Sequence, residues 1–167
     1  MSRAVSLSEE ELWSVLNEVL DPEVPVISIV ELGIVRDVSS SDEKVTVTIT
    51  PTYSGCPAMN AIEREIAMAL KSRGVEQVEL KTVYSPAWTT DWISAEAREK
   101  LRAYGIAPPS PVDHSAPIAI GKRRPAIRCP YCGSTHTELQ SEFGPTACKS
   151  IHVCHDCRQP FEEFKPI

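Results

Sequence analysis

Hydrophobic residues recur at helical spacing in three segments of the chain. The first segment follows a Ser8-x-x-Glu11 capping box and predicts an amphipathic helix over residues 9–20. The second begins at Pro57 and ends at Gly74, as a helix with a proline start and a glycine stop would. The third predicts a short helix at residues 94–104. The buried stripe of the first helix is expected to be Leu12, Val15, Leu16, Val19 and Leu20.

Between the first two helices the apolar pattern changes to the period of two that is typical of strands. Residues 44–50 alternate, and residues 30–38 form an apolar run before a polar turn, so we expect the two to pair as a hairpin. Residues 77–83 predict a further strand after the second helix. The pattern indicates an α+β fold, with a small α/β domain of three or four strands and three helices.

Proline becomes frequent towards the C-terminal third of the chain. Five of the 14 prolines lie between residues 105 and 127, without any helical or strand periodicity. This composition is typical of a semi-rigid linker. We therefore expect an α/β domain at residues 1–105, a linker at 106–127 and a second domain at 128–167.

The second domain carries the strongest chemical signal in the sequence. Cys129-x-x-Cys132 and Cys154-x-x-Cys157 are two knuckles separated by 21 residues, the pattern of a structural tetrathiolate zinc site. A segment of about 40 residues cannot bury enough apolar surface to fold without a metal ion that cross-links it. Iron bound by the same four cysteines is the alternative, and His152 or His155 is a less well placed substitute for one ligand. The small core of this zinc ribbon is expected to contain Phe143, Phe161 and Phe164.

Two further cysteines are candidate functional thiols. Cys56 is predicted at the N-cap of the second helix, where backbone N–H groups and the helix dipole favour a thiolate. The alternative is a cysteine that only caps the helix. Cys148, next to Lys149, is either a small apolar residue of the ribbon or a second reactive thiol.

Charge and hydropathy narrow the range of functions. The net charge is −6, with 10 basic and 18 acidic side chains in residues 1–121 against 7 and 5 in residues 122–167. This argues against nucleic acid as the main partner, although Lys122-Arg123-Arg124 is a local basic run. No apolar run approaches the roughly 18 residues that a membrane span needs. With no signal-peptide core, we expect a cytoplasmic protein without a membrane partner.

Three motifs in the N-terminal domain carry a family resemblance. Asp21-Pro22-Glu23-Val24-Pro25, Val30-x-Leu32-Gly33-Ile34-Val35 and Thr50-x5-Cys56-Pro57 occur in this order, and residues 8–104 resemble the MIP18 (DUF59) family. That family is a small α/β fold acting in iron–sulfur cluster assembly. The resemblance implies that Cys56 is the functional cysteine, binding an iron–sulfur unit or iron transiently. It also implies that Asp21 and Glu23 belong to an acidic loop of the site.

The C-terminal motifs narrow the resemblance to the D subunits of the bacterial phenylacetyl-coenzyme A oxygenase (epoxidase) system. They are Ser85-Pro86-Ala87-Trp88-Thr89-Thr90-Asp91-Trp92, Phe143-Gly144-Pro145-Thr146-Ala147-Cys148-Lys149 and Cys154-x2-Cys157-x3-Phe161-x2-Phe164. This resemblance implies phenylacetate catabolism, with the other oxygenase components as partners.

We expect an accessory factor without catalytic activity of its own. It would mature or repair an iron–sulfur cluster, and the cluster of the reductase component is the first candidate. One alternative is a non-catalytic structural subunit of the oxygenase complex. The others are a thiol redox enzyme using Cys56 and Cys148, and nucleic-acid binding through the ribbon. An exposed edge of the sheet would allow the chain to form a homodimer.

Overall fold

The computed structural model describes residues 7–41, 44–112 and 126–167. The chain forms two compact units, Met1–Ser94 and Ala95–Ile167. The third helix therefore groups with the ribbon. The linker expected at residues 106–127 stays a prediction, because residues 113–125, with Lys122-Arg123-Arg124, lie outside the described residues.

A three-stranded sheet with two α-helices forms the first unit. The elements are α1 (Glu9–Asn17), β1 (Val35–Ser40), β2 (Val45–Ile49), α2 (Met59–Ser72), β3 (Val78–Thr82) and a 3₁₀ turn (Thr90–Trp92). Strands β1 and β2 pair antiparallel, which confirms the predicted hairpin, and β2 and β3 pair parallel, with α2 as the crossover between them. The sheet order is β1-β2-β3. Helices and a mixed sheet confirm the predicted α+β class.

Helix α1 has the predicted capping box but ends earlier than predicted. Ser8 Oγ accepts the Glu11 N–H, and the Glu11 carboxylate accepts the Ser8 N–H at 2.8 Å, which lowers the pKa of Glu11. The helix stops at Asn17, whose side chain accepts the Ser28 hydroxyl at 2.6 Å. Leu20 then forms a β-bridge with Ser28 and is 46% exposed, so its assignment to the buried stripe was wrong. Pairing with the following segment, rather than Pro22, ends the helix.

The strand predicted at residues 30–38 begins only at Val35. The N–H of Leu32 bonds to the Ser28 carbonyl and that of Gly33 to the Val30 carbonyl, so the preceding residues form turns. Gly33 has φ +75° within these turns, a backbone conformation that glycine adopts without strain. Two apolar residues of this run are buried without forming a strand: Leu32 and Ile34.

The second unit contains one helix and four strands: α3 (Ala95–Tyr104), β4 (Ile106–Ala107), β5 (Thr137–Ser141), β6 (Lys149–Cys154) and β7 (Pro160–Phe164). The strands form a sheet of order β4-β7-β6-β5. Phe161 and Phe164 are buried as predicted, but Phe143 is 67% exposed, with the Lys165 ammonium 4.5 Å from its ring centre. No helix of the described residues is long and apolar enough to cross a bilayer.

Candidate metal centre and functional thiols

The first cysteine knuckle is closed by backbone hydrogen bonds. The N–H of Gly133 bonds to the Cys129 carbonyl at 2.9 Å, and the N–H of Cys129 bonds to the Ser134 carbonyl at 2.9 Å. Gly133 has φ +76°, as expected for a residue that turns the chain behind Cys132. The turn brings the two sulfurs of this knuckle to one side.

The second knuckle has the same kind of turn, but the residue after its second cysteine is not a glycine. Cys154 begins it at the end of β6, and its N–H bonds to the Gln159 carbonyl at 3.0 Å. Arg158, directly after Cys157, takes the place that Gly133 has in the first knuckle and has φ +60°. A non-glycine residue rarely adopts this conformation, so the knuckle geometry outweighs the local preference.

The four thiols of the knuckles converge on one point. The Sγ atoms of Cys129 and Cys157 are 3.7 Å apart, those of Cys132 and Cys154 are 3.5 Å apart, and all four lie within 4.8 Å of one another. A tetrahedral ion with Zn–S bonds of about 2.3 Å needs sulfurs about 3.8 Å apart. The arrangement therefore fits one tetrahedral metal ion. Cys129 and Cys154 also contribute to the small buried cluster with Ala107 and Phe161.

The thiols of the second knuckle differ in acidity. The Cys157 backbone N–H is the main cause that lowers the pKa of Cys154 to about 7, against the opposing effect of burial. For Cys157 the Gln159 N–H also lowers the pKa, but burial and the neighbouring thiols outweigh it and raise the pKa to about 12. The backbone N–H groups around Cys154 thus favour its thiolate, the form that ligates a metal ion.

Asp156 connects the two knuckles, a contact that the sequence analysis missed. Its carboxylate accepts the Ser134 hydroxyl and contacts His136 Nδ1 at 3.1 Å. Two hydrogen bonds lower the pKa of Asp156: the larger effect comes from Ser134 and the smaller from His136. In the sequence, only its position inside the Cys154-x-x-Cys157 knuckle pointed to Asp156, because its partners lie some 20 residues earlier, just after the first knuckle.

The histidines considered as substitute ligands lie elsewhere. His152 is buried, with Nε2 at 3.0 Å from Glu163 Oε2 and 3.1 Å from Ser150 Oγ. His155 is exposed, with Nε2 at 3.1 Å from Glu138 Oε2. Among the described residues, the metal-binding cluster contains only the four cysteines.

Cys148 lies inside the ribbon. It is 5% exposed, with its Sγ at 3.1 Å from Thr146 Oγ1. The ammonium of the neighbouring Lys149 is buried and forms an ion pair with Glu162 at 2.8 Å. This environment favours the small-apolar interpretation of Cys148, and a redox role with Cys56 stays a prediction.

Cys56 lies in the connection between β2 and α2. Helix α2 begins at Met59 with Ala58 as its N-cap, so Cys56 lies two residues before the N-cap rather than at it. Its N–H bonds to the Tyr53 carbonyl at 3.2 Å, and its carbonyl accepts the Met59 N–H at 3.3 Å. The thiol is half-buried. The turn formed by Pro57 and Ala58 delays the helix, which the sequence pattern does not reveal.

The acidic loop is held by its first residue. Asp21 is 6% exposed, and its Oδ1 accepts the N–H groups of Glu23 and Val24, each at 2.8 Å. The Asp21 carboxylate is therefore bonded to the backbone of its own loop. Glu23 is half-exposed on the same loop, and Val24 is buried.

We expect Asp21→Ala to lower the free energy of unfolding by about 1–3 kcal/mol, because it leaves two backbone donors without their acceptor. Asp37→Ala, at an exposed position of β1, should change it by less than about 0.5 kcal/mol. Urea unfolding measures both. Equal effects of the two substitutions would contradict a supporting role for Asp21.

Comparison with known proteins agrees with both halves of this description. Residues 9–80 match the family model of iron-sulfur cluster assembly proteins, and residues 113–165 match the PaaD zinc beta ribbon domain. A DUF59 domain from Bacillus anthracis is similar in structure, with a TM-score of 0.52 and 31% identity over 56% of this chain and 90% of that one. Fold and cysteine cluster thus define a DUF59-type domain joined to a zinc ribbon.

Two relatives refine this class. The chain is 46% identical over 157 residues to the D subunit of the putative 1,2-phenylacetyl-CoA epoxidase of Escherichia coli, covering 94% of this chain and 92% of that protein. It is 36% identical over 96 residues to an Fe-S protein maturation auxiliary factor of Porphyromonas gingivalis, covering 56% of this chain and 90% of that protein. The chain belongs to the family of the epoxidase D subunits.

Proposed function

We propose that this protein is an accessory factor for iron–sulfur cluster assembly or repair in a phenylacetyl-CoA epoxidase system. The observation that carries the proposal is the position of Cys56. Its half-buried thiol lies in a loop of the segment that matches the iron–sulfur assembly family. The similarity to the E. coli D subunit over nearly the whole chain supports the assignment to an epoxidase system.

Cys56 is the group that holds or passes on the iron–sulfur unit. Thiolates ligate iron and can be exchanged between protein ligands. Gly55 next to it has no described atom within 4 Å of the place where a Cβ would stand, so the approach to this turn is open on that side. Asp21 holds the acidic loop, and Glu23 is the second carboxylate that we assign to the site.

The metal centre has a separate, structural role. Cys129, Cys132, Cys154 and Cys157 bind zinc, and the ribbon positions the client protein. The client is the iron–sulfur reductase of the epoxidase system. Homodimer formation, which sedimentation analysis can test, would place two Cys56 sites in one assembly.

The test is a complementation experiment with Cys56→Ser. We expect the reductase purified from such a host to lack most of its iron and acid-labile sulfide, although the variant itself stays folded and zinc-loaded. Cys148→Ser is the matched control, because this thiol is buried in the ribbon. A fully loaded reductase and normal growth on phenylacetate with Cys56→Ser would refute the proposal.

The second candidate is a structural subunit of the epoxidase complex. It is favoured by the 46% identity to a protein named as an epoxidase subunit. This role predicts co-purification with the oxygenase in fixed stoichiometry and tolerance of Cys56→Ser. Sub-stoichiometric association together with loss of the reductase cluster would favour the maturation role.

A further inference from the structure

Two exposed histidines lie side by side on the ribbon, apart from the four thiols. Thr137 and Cys154 are paired in the antiparallel β5–β6 ladder, so His136 and His155 stand opposite each other just beyond it. The N–H of His155 bonds to the His136 carbonyl at 2.9 Å. Residues opposite each other in an antiparallel pair project to the same face. Their ring centroids are 4.9 Å apart.

A carboxylate orients each of these imidazoles. His136 Nδ1 is 3.1 Å from Asp156 Oδ1, and His155 Nε2 is 3.1 Å from Glu138 Oε2. Because a carboxylate only accepts, the ring nitrogen that faces it donates its N–H, and the opposite nitrogen of a neutral ring carries the lone pair. His136 Nε2 and His155 Nδ1 are thus the nitrogens with lone pairs. Histidines that bind metals show this same carboxylate–imidazole arrangement.

We propose that His136 and His155 form a second metal site, which binds a divalent transition-metal ion with water completing its coordination. Two imidazoles on one ion, with metal–nitrogen bonds of about 2.0 Å and an angle between about 90° and 110°, have centroids about 4.5–5 Å apart. The observed separation lies in this range. The pair is accessible, with side-chain exposures of 71% for His136 and 42% for His155.

The local charge favours a cation at this position. The carboxylates of Asp156 and Glu138, which contact the rings of His136 and His155, are both largely exposed. A tetrathiolate centre holding a divalent ion carries a net charge of about −2, which adds to the attraction. Imidazole ligands suit Zn, Cu, Fe and Ni, and affinity generally rises along the series from Mn to Cu. The expected ligand is therefore a divalent transition-metal ion of intermediate softness, such as Ni²⁺, Cu²⁺ or Zn²⁺.

The experiment uses the full chain with its tetrathiolate site loaded with zinc, titrated with Ni²⁺ in a calorimeter. The site predicts one Ni²⁺ per chain, with affinity reduced at least about tenfold by His136→Gln or His155→Gln. Glu138→Gln, which removes only the orienting charge, should weaken binding by about tenfold or more. His114→Gln, the same substitution at another of the four histidines of the chain, is the matched control and should leave the affinity unchanged. Zinc is quantified before and after, so that exchange at the thiols is detected.

The wild-type chain provides a second measurement that needs no substitution. Paramagnetic Ni²⁺ should broaden the imidazole proton resonances of His136 and His155 at lower concentrations than those of His114 and His152. Equal Ni²⁺ affinities in the wild type and both histidine variants, or equal broadening of all four histidines, would overturn the proposal. Absence of binding at millimolar Ni²⁺ would do the same.

Discussion

Cys154→Ser is expected to release the metal and unfold the β5–β7 ribbon. Cys154 is fully buried and belongs both to the thiol cluster and to the small core around it. Structural zinc sites contribute an apparent binding free energy of about 10–16 kcal/mol at neutral pH, which a core of this size cannot replace. The measurements are zinc per chain by elemental analysis and amide exchange across β6 and β7. A chelator acting on the wild-type chain should produce the same loss of protection.

Cys148→Ser is the control for this effect. The substitution is chemically identical and also buried, but Cys148 lies outside the four-thiol cluster. We expect this variant to keep one zinc per chain. Retention of one tightly bound ion by Cys154→Ser, or loss of zinc from both variants, would contradict the assignment of the four ligands. Iron in the purified wild-type chain would change the identity of the metal but not the ligand set.

Gly33→Ala is expected to destabilise the first unit by about 2–5 kcal/mol. Gly33 has φ +75°, and a Cβ there would lie 2.8 Å from Trp92 Cβ and 3.2 Å from the Trp92 carbonyl oxygen. The Trp92 ring in turn carries the Arg36 guanidinium 3.6 Å from its centroid, so this tryptophan is held from the other side. Backbone strain and steric overlap therefore add, and urea unfolding would measure their sum.

Gly55→Ala separates these two costs. Gly55 has a similar φ of +81°, but a Cβ there would meet no described atom within 4 Å. Only the left-handed backbone penalty of about 1–2 kcal/mol applies. Equal costs for the two substitutions would contradict the steric contribution that we assign to Trp92 at Gly33.

The most local features were predicted with the greatest success. The capping box of Ser8 and Glu11 and the β1–β2 hairpin each depend on residues close together in the sequence, and the structure has both. The β2-α2-β3 unit also follows the predicted order. Element boundaries were less accurate, because neighbouring segments compete for the same backbone groups.

The sequence alone locates the candidate chemical groups of this protein: two Cys-x-x-Cys knuckles, one separate thiol before a helix and an acidic loop. Spacing is sufficient for the knuckles because a knuckle is a local turn. The end of α1, the exposure of Phe143 and the burial of Asp21 follow instead from tertiary packing. Packing also places His136 opposite His155 and joins Asp156 of the second knuckle to Ser134, which follows the first. Such contacts depend on strand register and on packing between distant segments, which no local pattern encodes.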